Sequence, residues 1–132
     1  MKLHTQAIPE GPDQDSFRTC IACILDYKSL SLVPNFKRSK DSSSPPVREW
    51  LAERGYDLIS IYSNTFEGLS NLRFYPEAHP CIISGFREAN TRQHVVGVFK
   101  AGALSILHNP HPEFKIFSMS DKDYFIYLLV RK

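Results

Sequence analysis

The chain reads as an α+β domain, helices first and antiparallel strands after them. Two patterns carry this expectation. Phe17, Cys20, Ile21, Ile24 and Leu25 recur at i, i+3, i+4, i+7 and i+8, one apolar stripe on a helix. From Leu58 onward the apolar residues gather instead in short, β-branched and aromatic runs bounded by turn residues, the signature of strands. The 132 residues make about one domain, 1–132, long enough for a real core. A hydrophobic fraction of 42%, with nine Phe and six Tyr, argues against disorder.

Residues 1–15 are rich in Pro, Gly and Asp and read as irregular. Asp15 or Ser16 is the expected N-cap of a first helix of about twelve residues. Val33-Pro34-Asn35-Phe36 reads as a turn, and Lys40-Asp41-Ser42-Ser43-Ser44 as a polar loop ending in a cap. A second helix follows, with Pro45-Pro46 in its first turn, Val47, Trp50 and Leu51 as its apolar stripe, and Gly55 as its stop. Strands are expected at Leu58–Tyr62, Cys81–Ser84 and Tyr124–Val130, with a hairpin between the last two. The 63–78 connection has no assigned structure.

In that hairpin Val95–Phe99 is the first strand, Ala101-Gly102 the turn and Ala103–His108 the return. A two-residue loop sets Lys100 opposite Ala103 and therefore His94 opposite Asn109. Directly opposed residues share a face, with Cβ atoms roughly 4.5–5.5 Å apart. An amide at that separation holds an imidazole in one orientation, the arrangement of the last two members of a nucleophile–His–Asn relay. A three-residue loop would slip Asn109 off that face.

A nucleophile belongs at the start of the first helix, where free N–H groups and the positive end of the helix dipole favour an anion. Position 16 has that location. Cys20 lies a full turn further in, and its place in the apolar stripe reads as a small core residue. Position 16, however, is serine.

Several segments together carry a family resemblance. These are Gln6, Ser16-Phe17-Arg18-Thr19-Cys20-Ile21-Ala22-Cys23-Ile24-Leu25, Val33-Pro34-Asn35-Phe36, Gln93-His94-Val95-Val96 and His108-Asn109-Pro110-His111-Pro112. In order and spacing they resemble the small papain-like cysteine hydrolases of bacteria and phages. There a Gln precedes a Gly-Asn-Cys or Gly-Asp-Cys triplet that opens a helix. A Val-Pro-x-Phe turn, a His opening a strand and a His-Asp-Pro-His-Pro motif follow. The resemblance spans most of residues 6–112. It implies a papain-like fold, its N-terminal helix carrying the nucleophile position and packed on an antiparallel sheet. It also implies a triad of position 16, His94 and Asn109, with Gln6 donating to the oxyanion hole.

The chain departs from that pattern twice. Asn109 stands where the small family usually has Asp, a mild change because papain-like enzymes at large use Asn there. Ser16 stands where the nucleophilic Cys belongs, and serine is much harder to ionise than a thiol. We read it as an inactivated Cys-to-Ser form, because the rest of the motif is intact and the change exchanges one sulfur for one oxygen. A natural pseudoenzyme that holds a peptide in the same cleft and a working serine nucleophile stay open. So does a shifted frame, in which Gln14 precedes Cys20 by six residues and the two serve as oxyanion donor and nucleophile.

The expected partner is a peptide or protein tail, or a small amide or thioester. A net charge of +2 is too small to imply a polyanion. The basic cluster Lys37-Arg38-Ser39-Lys40 reads as a solvated loop, so no nucleic acid is expected. No apolar run is long enough to span a bilayer, and Met1-Lys2-Leu3-His4 has no signal-peptide character. Three cysteines that cannot all pair then point to the reducing cytoplasm. Cys20-Ile21-Ala22-Cys23 lacks the βα setting of a redox motif. Cys20, Cys23, His108 and His111 could be four zinc ligands on paper, but Pro110 and Pro112 read instead as a stiff turn locking Asn109. No cofactor and no metal are expected. His111 reads as an exposed turn residue, and His4 flanks the Gln6 loop without a role.

Overall fold

The first helix, α1 (Ser16–Ile24), forms where the apolar stripe puts it and buries Cys20, Ile21, Ala22 and Cys23. It runs nine residues rather than twelve. Asp26 adopts φ +60°, and the N–H groups of Asp26 and Tyr27 turn back to Cys23 O (3.1 Å) and Ala22 O (3.0 Å). That pair of bonds closes the helix as a left-handed cap, a position glycine usually fills. At the other end Asp15 occupies the cap position, but its carboxylate makes no bond to the helix N–H groups. It serves the preceding loop instead, as described below.

The computed structural model describes residues 1–36, 46–72, 79–88, 91–100, 103–118 and 122–132. The expected polar loop and basic cluster between 37 and 45, and the Ala101-Gly102 turn, lie outside the described residues. Helix α2 (Val47–Ala52) follows Pro46 and buries Trp50 and Leu51. Gly55, at φ +85°, turns the chain out of it in the left-handed region that favours glycine. The 63–78 connection holds a short helix, α3 (Phe66–Ser70), whose cap Thr65 accepts the Gly68 N–H at 3.0 Å.

Five strands, β1 (Tyr56–Ser63), β2 (Pro80–Glu88), β3 (Thr91–Lys100), β4 (Ala103–His108) and β5 (Tyr124–Arg131), build one antiparallel sheet of order β1-β5-β2-β3-β4. The fold is thus α+β, as the sequence predicts. Side chains alternate between the two faces. Ile82, Val96 and Leu129 join α1 and α2 in one core; Cys81, Ile83, Val95 and Leu128 join Leu69 of α3 and Phe117 in the other. His94, two residues before Val96, points to the α1 face. Among the described residues no helix is long and apolar enough to cross a membrane.

The hairpin register departs from the expectation. Lys100 does pair with Ala103, but a bulge intervenes: Gly97 opposes Ile106 and Val96 opposes His108. Leu107 is the extra residue and points outward, half exposed. One inserted residue shifts everything beyond it by one step. Asn109 therefore lies past the end of β4 and leaves His94's row. Gly97 accommodates the irregularity because a Cβ there would sit 2.4 Å from Ile83 Cδ1 and 3.3 Å from Ser105 O.

Candidate active site

Ser16, the first residue of α1, and His94, on β3, meet across the layer between helix and sheet. Ser16 Oγ lies 2.9 Å from His94 Nδ1. The backbone N–H of His94 also donates to Ser16 Oγ, at 3.1 Å. Both residues are buried. The imidazole packs against Phe17, with ring centroids 5.1 Å apart, and against Tyr127 at 6.2 Å. An anion at position 16 would receive the His94 N–H, a protonated Nδ1 and the positive end of α1 together. Each of these favours the charged form.

The loop before the helix brings Gln6 and Gln14 to the same place. Gln14 Oε1 accepts the Ser16 N–H at 3.0 Å and the Gln6 Nε2–H at 3.3 Å. Gln14 Nε2 donates to Arg92 O at 2.7 Å, which fixes the orientation of the amide. One amide oxygen thus occupies both donors that the resemblance assigns to an oxyanion. Gln6 Oε1 in turn accepts from Gln93 Nε2 at 2.7 Å.

Two networks hold this loop. The buried Asp15 carboxylate accepts Ile8 N–H at 2.9 Å and Ala7 N–H at 3.2 Å, and pairs with Arg18 at 2.9 Å. The backbone N–H of Gln6 donates to Pro110 O at 2.9 Å, and His108 Nε2 lies 2.7 Å from His4 O. Residues 4–8 are therefore strapped to the His108–His111 turn. Glu10 extends the strap to Arg87 (2.9 Å), His111 (3.0 Å) and Lys115 (3.3 Å). The Arg87 and His111 hydrogen bonds lower the Glu10 pKa to about 2.

No family model, curated protein or solved structure matches the chain.

Among the described residues no hydrogen bond joins Asn109 to His94. Among the described residues its Oδ1 accepts from Gln93 Nε2 (3.3 Å) and His111 N (3.2 Å), and its Nδ2 donates to Lys115 O (3.1 Å). It fastens the turn and reaches the site only through Gln93. Cys20 lies fully buried in the α1 core, where burial pushes its thiol well above the usual range. That environment withholds the thiolate a nucleophile needs. Gln14, its partner in the shifted frame, sits instead against the Ser16 N–H. His111 is buried rather than exposed, taking the Glu113 N–H on Nδ1 at 3.0 Å while Nε2 faces Glu10. His4 Nε2 lies 2.7 Å from Tyr27 O. Among the described residues no three His, Cys, Asp or Glu side chains gather as a metal site.

The sequence assigned no role to Gln93, quoted only as part of the Gln93-His94 motif, or to Tyr127. Gln93 precedes the histidine on a strand, so period-two logic assigns it to the opposite face. At the end of the sheet its amide nevertheless reaches both Gln6 and Asn109. A cleft of about 360 Å³ adjoins the site, lined by Phe17, Phe36, Arg48, Arg92, His94 and Tyr127 among others. A larger one of about 530 Å³, between Ile24, Tyr56, Pro80 and Leu129, includes none of the site residues.

Proposed function

We propose that this chain carries the site of a papain-like hydrolase acting on an amide, peptide, isopeptide or thioester bond, disarmed by serine at position 16. Position 16 is the nucleophile, His94 the base and acid, and Gln6 with the N–H of residue 16 the oxyanion donors. The observation that carries the reading is the 2.9 Å approach of Ser16 Oγ to His94 Nδ1 at a helix N-terminus. The Gln14 amide oxygen on the two donors supports it, since an acyl oxygen taking that place meets the same pair.

With cysteine at 16, His94 takes the thiol proton and the thiolate attacks the acyl carbon. The oxyanion replaces Gln14 Oε1 on the two donors. As the C–N bond breaks, His94 returns the proton to the leaving amine. Water, deprotonated by His94, then cleaves the thioester and releases the acid. The Phe17 and Tyr127 rings hold the imidazole. Asn109 acts at one remove, through Gln93. With Ser16 the hydroxyl is a far weaker acid than a thiol, so it stays neutral and turnover is very slow. That neutral, fully buried serine also supports a second reading, a binding module that uses the same cleft for a peptide tail. Three free cysteines fit a reducing compartment such as the cytoplasm.

Mixing the Ser16→Cys variant with p-nitrophenyl acetate tests the enzyme reading. The expected result is a burst of about one equivalent of p-nitrophenolate, followed by slow turnover, as an acyl-enzyme accumulates. The burst should vanish in Ser16→Cys/His94→Ala. No burst above that of the unaltered chain would leave the binding module as the account of the site.

A further inference from the structure

We infer that the cleft beside His94 binds a carboxylate, so that the substrate is an acidic peptide. This rests on the proposed hydrolase reading for the bond attacked, but the binding itself does not need the reaction. Arg48 and Arg92 both line the cleft. Their guanidinium groups are held by neutral partners: Arg48 by Leu58 O and Ser60 Oγ, Arg92 by Ser84 Oγ at 3.1 Å. Arg92 also lies over the rings of Phe86, at 4.3 Å, and Phe125, at 5.0 Å. Elsewhere Arg18, Arg54 and Arg87 each meet a carboxylate. Among the described residues Arg48 and Arg92 meet none, and none of the described lining residues is acidic.

Two positive charges therefore line one cleft, each positioned by neutral partners and, among the described residues, meeting no carboxylate. A planar guanidinium matches a carboxylate in two parallel hydrogen bonds, which lysine does not reproduce. Tyr127, on the same cleft, feels the field: burial raises its phenol, and the charges of Arg92 and Arg48 act in the opposite direction. Phe17, Phe36 and Tyr127 supply an apolar wall for the side chain next to the anion. The cleft thus pairs an aromatic surface with an anion site a short reach from the nucleophile position.

Calorimetric titration of the unaltered chain tests the inference with three acetylated tetrapeptides. One is Ac-Ala-Phe-Glu-Ala-amide, the second carries Gln in place of Glu, and the third carries Gln and a free C-terminal carboxylate. The Glu peptide, the free acid or both should bind about tenfold tighter than the neutral one, as a charge-assisted pair does. Which of them does so tells a side-chain carboxylate from a chain end. The preference should fall in Arg92→Gln and in the exposed-site variant Arg48→Gln, persist in part in Arg92→Lys, and weaken with salt. Equal binding of all three peptides, no measurable binding, or a preference untouched by both Gln variants overturns the inference. A preference without a Ser16→Cys burst would sink the hydrolase reading and keep the anion site; a burst without a preference would do the reverse.

Discussion

Asp15→Ala should lose about 3 kcal/mol of stability, because it strands one partner of a buried ion pair. That is a large share of the stability of a domain this size and corresponds to a fall of roughly 10 °C in the thermal midpoint. The reason is concentrated in one carboxylate. Asp15 is fully buried and accepts Ala7 N–H, Ile8 N–H and the Arg18 guanidinium. Without it the arginine has no anion and the loop carrying Gln6 loses its tether. Asp15→Asn keeps an acceptor and loses the charge, so it should fall between the two. Urea unfolding followed by circular dichroism measures the change, and amide exchange at Ala7 and Ile8 locates it. A loss under about 1 kcal/mol, with both amides still protected, would contradict the assignment of Asp15 as the loop's anchor.

The second large effect separates two reactions of the same sulfur. In the Ser16→Cys background, Gln6→Ala should slow acylation by p-nitrophenyl acetate about a hundredfold, the usual effect of removing one oxyanion donor. Alkylation by iodoacetamide should change little. Attack on an ester carbonyl builds a negative oxygen, whereas displacement of iodide at a saturated carbon builds none at that position. A thiol whose environment was merely disturbed would lose both rates together. Equal loss in the two reactions would remove Gln6 from the oxyanion site and leave it as a packing residue between Gln14 and Gln93.

Much of the fold was legible because its signals are local. The Phe17–Leu25 stripe placed α1, and Trp50, Leu51 and Gly55 placed α2. The runs at Leu58, Cys81, Val95 and Tyr124 placed the strands. The length of α1 was not legible, since its stop is an aspartate in a left-handed cap rather than a glycine. Nor was α3, which has five residues with a glycine in the middle. The hairpin bulge escaped for a different reason. The shift falls at Gly97, where a Cβ would meet Ile83 and Ser105 on the two neighbouring strands, a crowding that the local sequence does not show. That single slip moved Asn109 away from His94. The pairing of position 16 with His94 came from the family resemblance; in the structure Ser16 opens α1, whereas His94 is the fourth residue of β3. The amides of Gln6, Gln14 and Gln93 come from a loop and a strand far apart in sequence, and no periodicity links them. The central place of β5 between β1 and β2 likewise carries no local mark.

The central claim is that position 16, paired with His94, is built to hold an anion. Labelling of Ser16→Cys with limiting iodoacetamide at pH 6, mapped by mass spectrometry with and without His94→Ala, tests it most directly. Background thiols are suppressed by their surroundings: burial raises Cys20 and Cys23, and pushes Cys81 up to about 12. A thiol at position 16 with a lowered pKa should label on the order of a hundredfold faster than an ordinary cysteine at this pH. The advantage should disappear with His94→Ala and reappear only as the pH rises toward the usual thiol range. Labelling at position 16 that is slow, or fast but indifferent to His94, would contradict the account.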